Sequence, residues 1–457
     1  MQHNRLWEKY PPTYRAQEVQ TVLQWIQTGN SGSVVGLPGS GKSNFLGFLC
    51  HHPQALPPHE TAIQLIPIDF NILPDRSLAT FYRVILRAFY ETQPQFTTQL
   101  QVAIHEAYQS TKDKRDPFLP QSALRELLLQ FRQRQQRVVL VIDRFDDFCE
   151  HATPAMTNTL RGLRDHFKDT LCYIMGLRHD IAYLSDPTIL GELYELLDLH
   201  TCWIGPMSKA DAQHLVHQET HLATRTPTNK MIDTLINLTG GYPALLKTAC
   251  HWWQQSGTTI PQAQWANALL ANRSIRHRLQ ELWDGLDQEE QHTLSQLQTP
   301  TFTPQNKNAP DQDSPIQRLL DKGILWQTDE AWQLFSPLLA KFIAANPIQG
   351  RGKLWVEPGS AIVHQGDTVL QDLTQLEHAL LVFLLRYPRT RHTKTDLIIN
   401  AWPDEQRRYG VADDSLYQLI ASLRKKIEPQ PSKPQYLLNW RGQPEGGYYL
   451  IPEGRPK

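Results

Sequence analysis

The segment that most limits what this chain can fold into is Gly36-Leu37-Pro38-Gly39-Ser40-Gly41-Lys42-Ser43. It follows the pattern G-x-x-x-x-G-K-[ST]. The short apolar run Ser33-Val34-Val35 leads into it, and Asn44 to Cys50 reads as the start of a helix. A loop of this kind turns backbone N–H groups inward around phosphate oxygens. Its glycines allow the close approach, Lys42 neutralises the β- and γ-phosphates, and the Ser43 hydroxyl holds Mg2+. The candidate cofactor-binding residues are Gly36, Pro38, Gly39, Ser40, Gly41, Lys42, Ser43 and Asn44, with ATP and Mg2+ as the expected ligands. A plain Gly-rich turn is the alternative, and the flanking strand and helix argue against it.

At 457 residues the chain is long enough for about three or four domains. A net charge of −1 gives no global attraction to nucleic acid or membrane, so any DNA affinity must be local. No apolar run approaches the length of a membrane-spanning helix, and the polar start Met1-Gln2-His3-Asn4-Arg5 is unlike a signal peptide. The five cysteines are scattered, with no C-x-x-C pair. That pattern suits buried thiols in a reducing compartment, so the expected location is the cytoplasm, with no membrane partner.

A helix is expected over Ala16–Thr28, where Val19, Val22, Leu23 and Ile26 share one face. Apolar runs at Ser33–Gly36, Ala62–Phe70, Val138–Asp143, Leu171–Leu177 and Thr201–Ile204 then alternate with helical stretches. This rhythm predicts a parallel sheet covered on both faces. It also leaves room for an extra strand between the P-loop strand and the strand at 138–143. After Pro206, Ser208-x-x-Asp211 reads as a helix start, and helical periodicity runs through most of 208–298. Segment 300–315 reads as a loop. Ile316–Lys322, Gly323–Trp326 and Trp332–Phe335 give the helix and two strands of a small winged helix. Pro347–Gly352 reads as a linker.

Val138 to Ile142 is an apolar strand that ends in Asp143, the position from which a carboxylate reaches Mg2+ in a P-loop protein. Hydrolysis also needs a carboxylate that orients the attacking water. The residue after Asp143 is Arg144, so Asp146 or Asp147 is the candidate; the alternative is that both are loop acids in surface ion pairs. Arg178, at the tip of the next strand, is the candidate γ-phosphate sensor, or else a solvated arginine.

GLPGSGKS, VVLVIDRFDD, Arg178 and the turn Gly241-Tyr242-Pro243 together resemble the STAND class of AAA+-related signalling ATPases, over about 1–347. Tyr14-Arg15-Ala16-Gln17-Glu18 resembles the segment that leads into the adenine pocket of that class. The resemblance therefore implies that Arg15 and Pro243 contact the nucleotide. Two departures are Arg144 in place of an acid and the lack of a clear phosphate-sensing histidine in the first winged helix. They imply slow, regulatory hydrolysis.

In the last hundred residues, Thr374-x-x-Glu377 is a capping box that opens an apolar helix. Helices follow at about Lys394–Ala401 and Asp414–Ile427, then a hairpin over 436–451. Three helices and a hairpin form a winged helix-turn-helix, whose third helix enters a major groove. LTQLEHALLVFLL, DLIINAW, VADDSLYQLIASLRKKIE and RGQPEGGYYL resemble the OmpR/PhoB-type DNA-binding domain of bacterial response regulators, over about 353–452. The resemblance implies DNA contacts at Ser415, Gln418, Ser422, Arg424, Lys425 and Arg441. Asp413, Asp414, Leu419, Ala421 and the wing residues Gln443-Pro444-Glu445-Gly446 depart from it. Residues 351–457 hold 15 Lys and Arg against 12 Asp and Glu, a modest excess of three positive charges.

The expected fold is therefore an α/β P-loop NTPase with a parallel sheet, a helical lid, a winged helix and a C-terminal OmpR/PhoB-like winged helix. The expected divisions are a lead-in helix at 1–30 and domains at 31–205, 206–275, 276–347 and 353–457. The expected function is an ATP-dependent transcriptional switch that oligomerises on activation and binds DNA. The alternatives are an origin-recognition-like or mobile-element ATPase loaded onto DNA, and a defence or signalling ATPase whose last domain binds protein.

Overall fold

The computed structural model describes residues 7–56, 62–184, 186–221, 226–257, 259–297, 314–328, 332–346, 350–402, 413–442 and 445–457. The expected loop at 300–315, the linker at 347–352 and the extra wing residues therefore lie wholly or partly outside the described residues. The chain divides into two compact units, Met1–Leu269 and Leu270–Lys457.

The first unit is built on five strands: β1 (Gly32–Val35), β2 (Ile63–Ile68), β3 (Arg137–Ile142), β4 (Leu171–Leu177) and β5 (Thr201–Trp203). Their order is β2-β3-β4-β1-β5, and every pairing is parallel. An inserted strand does separate the P-loop strand from the one that ends at Asp143. It is β4, while β2 lies at the edge. The strands read as near-continuous apolar runs because both faces are covered. Val138, Leu140 and Ile142 pack with helices Leu78–Thr92, Phe118–Gln133 and Pro154–His166. Val139 and Val141 point the other way, toward helices Ala16–Thr28 and Lys42–His51. Arg137 turns its guanidinium onto the carbonyls of Ile26 and Gln27, which closes the end of the first of these helices.

The lid helices are Lys209–Thr220, Asn229–Thr239, Pro243–Trp252 and Trp265–Ala271. Ser208 caps the first by accepting from the Asp211 N–H. The Asp211 carboxylate accepts from the Ser208 hydroxyl at 2.9 Å and also from the Arg15 N–H at 3.2 Å.

The second unit contains two winged helices. The first has helices Arg273–Asp284, Gln288–Leu297, Pro315–Asp321 and Pro337–Ala345, with an antiparallel ribbon of β6 (Leu325–Gln327) and β7 (Trp332–Leu334). The other opens with a three-stranded sheet that the sequence did not reveal: β8 (Leu354–Val356), β9 (Val363–Gln365) and β10 (Thr368–Val369). Helix Gln375–Arg386 follows, with both halves of its Thr374–Glu377 capping box in place. Next come β11 (His392–Thr393), helix Lys394–Ala401, helix Asp413–Ile427 and the hairpin β12 (Leu437–Trp440) and β13 (Gly447–Leu450).

These two winged helices are fastened to each other. Gln288 and Glu289 donate their backbone N–H groups to the carbonyls of Gly454 and Glu453. The Gln288 side chain accepts from the Arg351 N–H at 3.1 Å and donates to Gln435 Oε1 at 3.4 Å. The His292 ring lies within hydrogen-bond distance of the Gly350 carbonyl and the Asp367 carboxylate. Asp287 and Glu290, both fully buried beneath this contact, cap one another's backbone and meet Arg318 and Lys322.

Candidate functional site

The P-loop follows β1 and feeds helix Lys42–His51. Gly39 and Gly41 hold φ values of 82° and 86°, the left-handed region open to glycine. Four carbonyls of the loop, those of Leu37, Pro38, Gly39 and Ser40, are held from outside it. Tyr242 donates its hydroxyl to the carbonyls of Leu37 and Pro38, at 3.3 and 2.9 Å. The Ala244 N–H reaches the Gly39 carbonyl at 3.1 Å. Arg15 Nη2 reaches those of Ser40 and Gly205, at 2.8 and 2.9 Å. Gly36 and Ser40 spend their N–H groups on the Leu177 and Leu37 carbonyls, at 3.0 Å each, and the remaining amides of the loop would meet a ligand at this helix N-terminus.

Lys42 and Asp143 meet across this loop, Nζ to Oδ1 at 3.3 Å. Asp143 Oδ1 also accepts from the Arg144 N–H at 2.9 Å. Arg144 itself takes a left-handed φ of 53°, and its side chain is exposed and lines the cavity beside the loop. Ser43 and Asn44 are exposed toward a cavity of about 900 Å3. Ser40 Oγ is buried and has no hydrogen-bond partner among the described residues. This donor set fits a nucleoside phosphate: inward amides, one ammonium and an unspent hydroxyl. Ser43 and Asp143 fit Mg2+, which binds through few protein oxygens and completes its shell with water and phosphate.

The structure brings most of the sequence-predicted residues together here. Gly36, Pro38, Gly39, Ser40, Gly41, Lys42, Ser43, Asn44, Pro243, Asp147 and Arg178 all line the cavity. Arg15 does not. Its side chain is buried, with both amino groups committed to Glu18 and to backbone carbonyls, so it shapes the loop from behind. Asp146 and Asp147 stand together, but Arg178 bridges both: Nε meets Asp146 Oδ2 at 2.6 Å, and Nη2 meets Asp147 Oδ1. The expected water-activating acids and the expected sensor thus form one ion-paired cluster.

Several cavity residues escaped the sequence reading. Trp7, Lys9 and Tyr10 line it from the N-terminal side, and Glu219, His221 and Lys247 from the lid. Trp7 stacks on Tyr10 with ring centroids 6.0 Å apart, and Tyr10 meets Tyr14 at 4.5 Å with the rings tilted by 48°. Burial pushes the Tyr10 phenol up to about 12, so it stays neutral. No motif marks these residues; only the tertiary fold assembles them.

In the C-terminal winged helix, Leu416, Leu419, Ile420, Leu423 and Ile427 form the buried face of helix Asp413–Ile427. Ser415, Gln418 and Lys425 are exposed on this helix, and Arg441 is exposed at the hairpin. Ser422 and Arg424, expected at the DNA surface, are engaged inside the domain. Ser422 Oγ donates to Glu377 Oε1 at 2.6 Å. Arg424 donates to the Leu437 carbonyl at 3.0 and 2.6 Å and to Asn439, and lies over the Tyr448 ring. Asp413 is paired with Lys394 at 2.7 Å, which offsets one of the two acids at the start of the helix.

No described helix is long and apolar enough to cross a membrane. The profile of the family described as "Transcriptional regulatory protein, C terminal" matches residues 369–450. The chain is 34% identical over 92 residues to the response regulator GtcR of Aneurinibacillus migulanus; the match covers 20% of this chain and 36% of that protein's length. Among solved structures, the Walker-type ATPase PABY2304 of Pyrococcus abyssi aligns with a TM-score of 0.45 at 13% identity, covering 72% of this chain and 95% of that one. The Aeropyrum pernix ORC2 protein aligns with a TM-score of 0.38 at 12% identity, covering 72% and 93%. The profile of "Novel STAND NTPase 1" matches residues 14–346, well over half of the chain. The chain belongs to the novel STAND NTPase 1 family and carries a transcriptional-regulator C-terminal domain behind its NTPase module.

Proposed function

We propose that the protein is a nucleotide-controlled DNA-binding regulator. Its P-loop holds ATP with Mg2+, and its C-terminal winged helix binds DNA through the surface that includes Ser415, Gln418, Lys425 and Arg441. One observation supports the switch most directly: Tyr242 and Ala244 of the lid hold the carbonyls of the loop that would cradle phosphate. A ligand can bias two arrangements only by binding one better than the other. Here the lid and the phosphates share the same few peptide units, so the loop cannot adjust to one without moving the other.

Hydrolysis is slow in this reading. Arg144 occupies the position after Asp143, and Arg178 holds Asp146 and Asp147. The bound nucleotide then acts as a signal with a long lifetime. Oligomerisation on DNA would supply several half-sites and raise the effective affinity.

Lys42→Ala should weaken ATP binding by about 10- to 100-fold, the worth of a charge-assisted contact. Calorimetry on the full chain measures this, and wild-type affinity in the variant would sink the nucleotide reading. Gel shifts with native upstream DNA and with random DNA, with and without ATP, test the other half. Log affinity should fall with log salt by about 0.9 for each phosphate neutralised. A flat salt response would make the last domain a protein-binding module.

A further inference from the structure

The lid wall of the cavity carries a lysine of its own, Lys247. Helix Pro243–Trp252 lays its first turn against the P-loop. A Cβ on Gly41 would meet Pro243 Cγ at 3.4 Å, and one on Gly39 would meet Ala244 Cβ at 2.5 Å. Residues three and four apart share a helix face. Lys247 therefore stands one turn beyond these two contacts, on the same face, and it lines the same cavity.

Its ammonium is not idle. Nζ pairs with Glu219 Oε1 at 3.1 Å, with Lys247 57% and Glu219 16% exposed. Glu219 comes from the adjacent helix Lys209–Thr220, and its other oxygen lies 3.5 Å from His251 Nε2. Both members of the pair line the same cavity as the P-loop residues Gly36 to Asn44. The other acid lining that space, Asp147, is bridged by Arg178.

We propose that Lys247 is a second phosphate-binding residue, held in reserve by Glu219. When a nucleoside di- or triphosphate binds, Lys247 exchanges the Glu219 carboxylate for phosphate oxygens. An ion pair this open to water adds little stability, so it is easily given up. The lysine stem is flexible enough to swing between partners, and the compact ammonium suits phosphate. His251 remains beside Glu219 after the exchange. The lid helix then senses phosphate directly, one turn beyond the residue that is latched to Gly39. This inference rests on the nucleotide reading above.

Calorimetry of the full-length protein with ATP, ADP and AMP in the presence of Mg2+ tests it. Lys247→Ala should weaken ATP and ADP by about tenfold and leave AMP within twofold. Lys247→Arg should retain most of the affinity, which excludes a folding defect. Glu219→Gln should tighten ATP, and most of that gain should vanish in the double variant with Lys247→Ala, as expected of coupled residues. Unchanged ATP affinity in Lys247→Ala, an equal loss for AMP, or a Glu219→Gln gain that persists in full in the double variant would each overturn it. Failure of the nucleotide reading looks different: wild type would bind none of the three ligands, or Lys42→Ala would bind them as wild type does.

Discussion

Tyr242 shows how one side chain can tie the lid to the P-loop. Its buried hydroxyl serves two P-loop carbonyls at once, from a turn that starts a lid helix. Tyr242→Phe should therefore cost about 1 kcal/mol of stability, the worth of a hydrogen bond, and should weaken ATP binding as well. Thermal melts with and without ATP check both effects. Gly39→Ala is harsher. Its φ of 82° is strained for alanine, and its Cβ would collide with Ala244, so the lid must retreat or the loop deform. We expect ATP binding to be lost while the sheet still folds, read by titration and circular dichroism. The sequence named the loop residues because a motif fixes their spacing. It assigned Arg15 to the ligand, whereas the guanidinium faces the loop's backbone, since motif transfer gives a position but not a direction. Lys247 and Glu219 carried no signal at all, because they meet only when two lid helices pack.

At the scale of elements, the strands of the parallel sheet were legible because burial on both faces demands unbroken apolar runs. Leu171–Leu177 was read to the residue. The strands β8 to β10 were not, since each spans only two or three residues and Val363-His364-Gln365 shows no apolar pattern. The recognition-helix surface was read in part. Ser415, Gln418 and Lys425 are exposed as expected of a contact surface, but Ser422 and Arg424 are spent on holding the helix in place. Ser422 binds Glu377, the carboxylate that also caps helix Gln375–Arg386 and pairs with Lys426. Burial alone would raise the Glu377 pKa, but the hydrogen bonds from Lys426, Ser422 and Thr374 outweigh it and lower it to about 2. This depressed pKa contributes stability that is present above the ordinary carboxylate value. That stability is lost as pH falls from about 4.5 through about 2. Glu377→Gln should destabilise the winged helix by on the order of 3 kcal/mol at neutral pH and flatten its acid-unfolding profile. Denaturant titrations at several pH values measure it.

For the whole molecule, the contact within Leu270–Lys457 matters most. Gln288, Gln291 and Gln435 bury their amides there, and removing such a group strands its partners at about 1–3 kcal/mol. Gln288→Ala should raise hydrogen exchange in both 273–345 and 350–457, where a change confined to one side would mean that the two open independently. Beneath it, burial and the neighbouring Glu290 push the Asp287 carboxyl up to about 7, with Arg318 and Lys322 opposing. The stability that goes with its protonated form is complete below about 3.8 and is lost as pH rises through about 7. The joint should loosen over that interval, and exchange rates across a pH series would reveal it.

That joint also bears on how a signal could reach a promoter. A reader hung on a loose tether can only be hidden or released. One keyed through buried amides and a capped helix end behaves as the far arm of a lever. In the proposed switch, a small rotation of the first winged helix would sweep Gln418 and Lys425 through an arc, and the orientation of their helix would be the controlled variable. Regulation of that kind would leave the bare affinity of the last domain for a short duplex nearly constant. It would change instead which spacing of paired half-sites two copies can span.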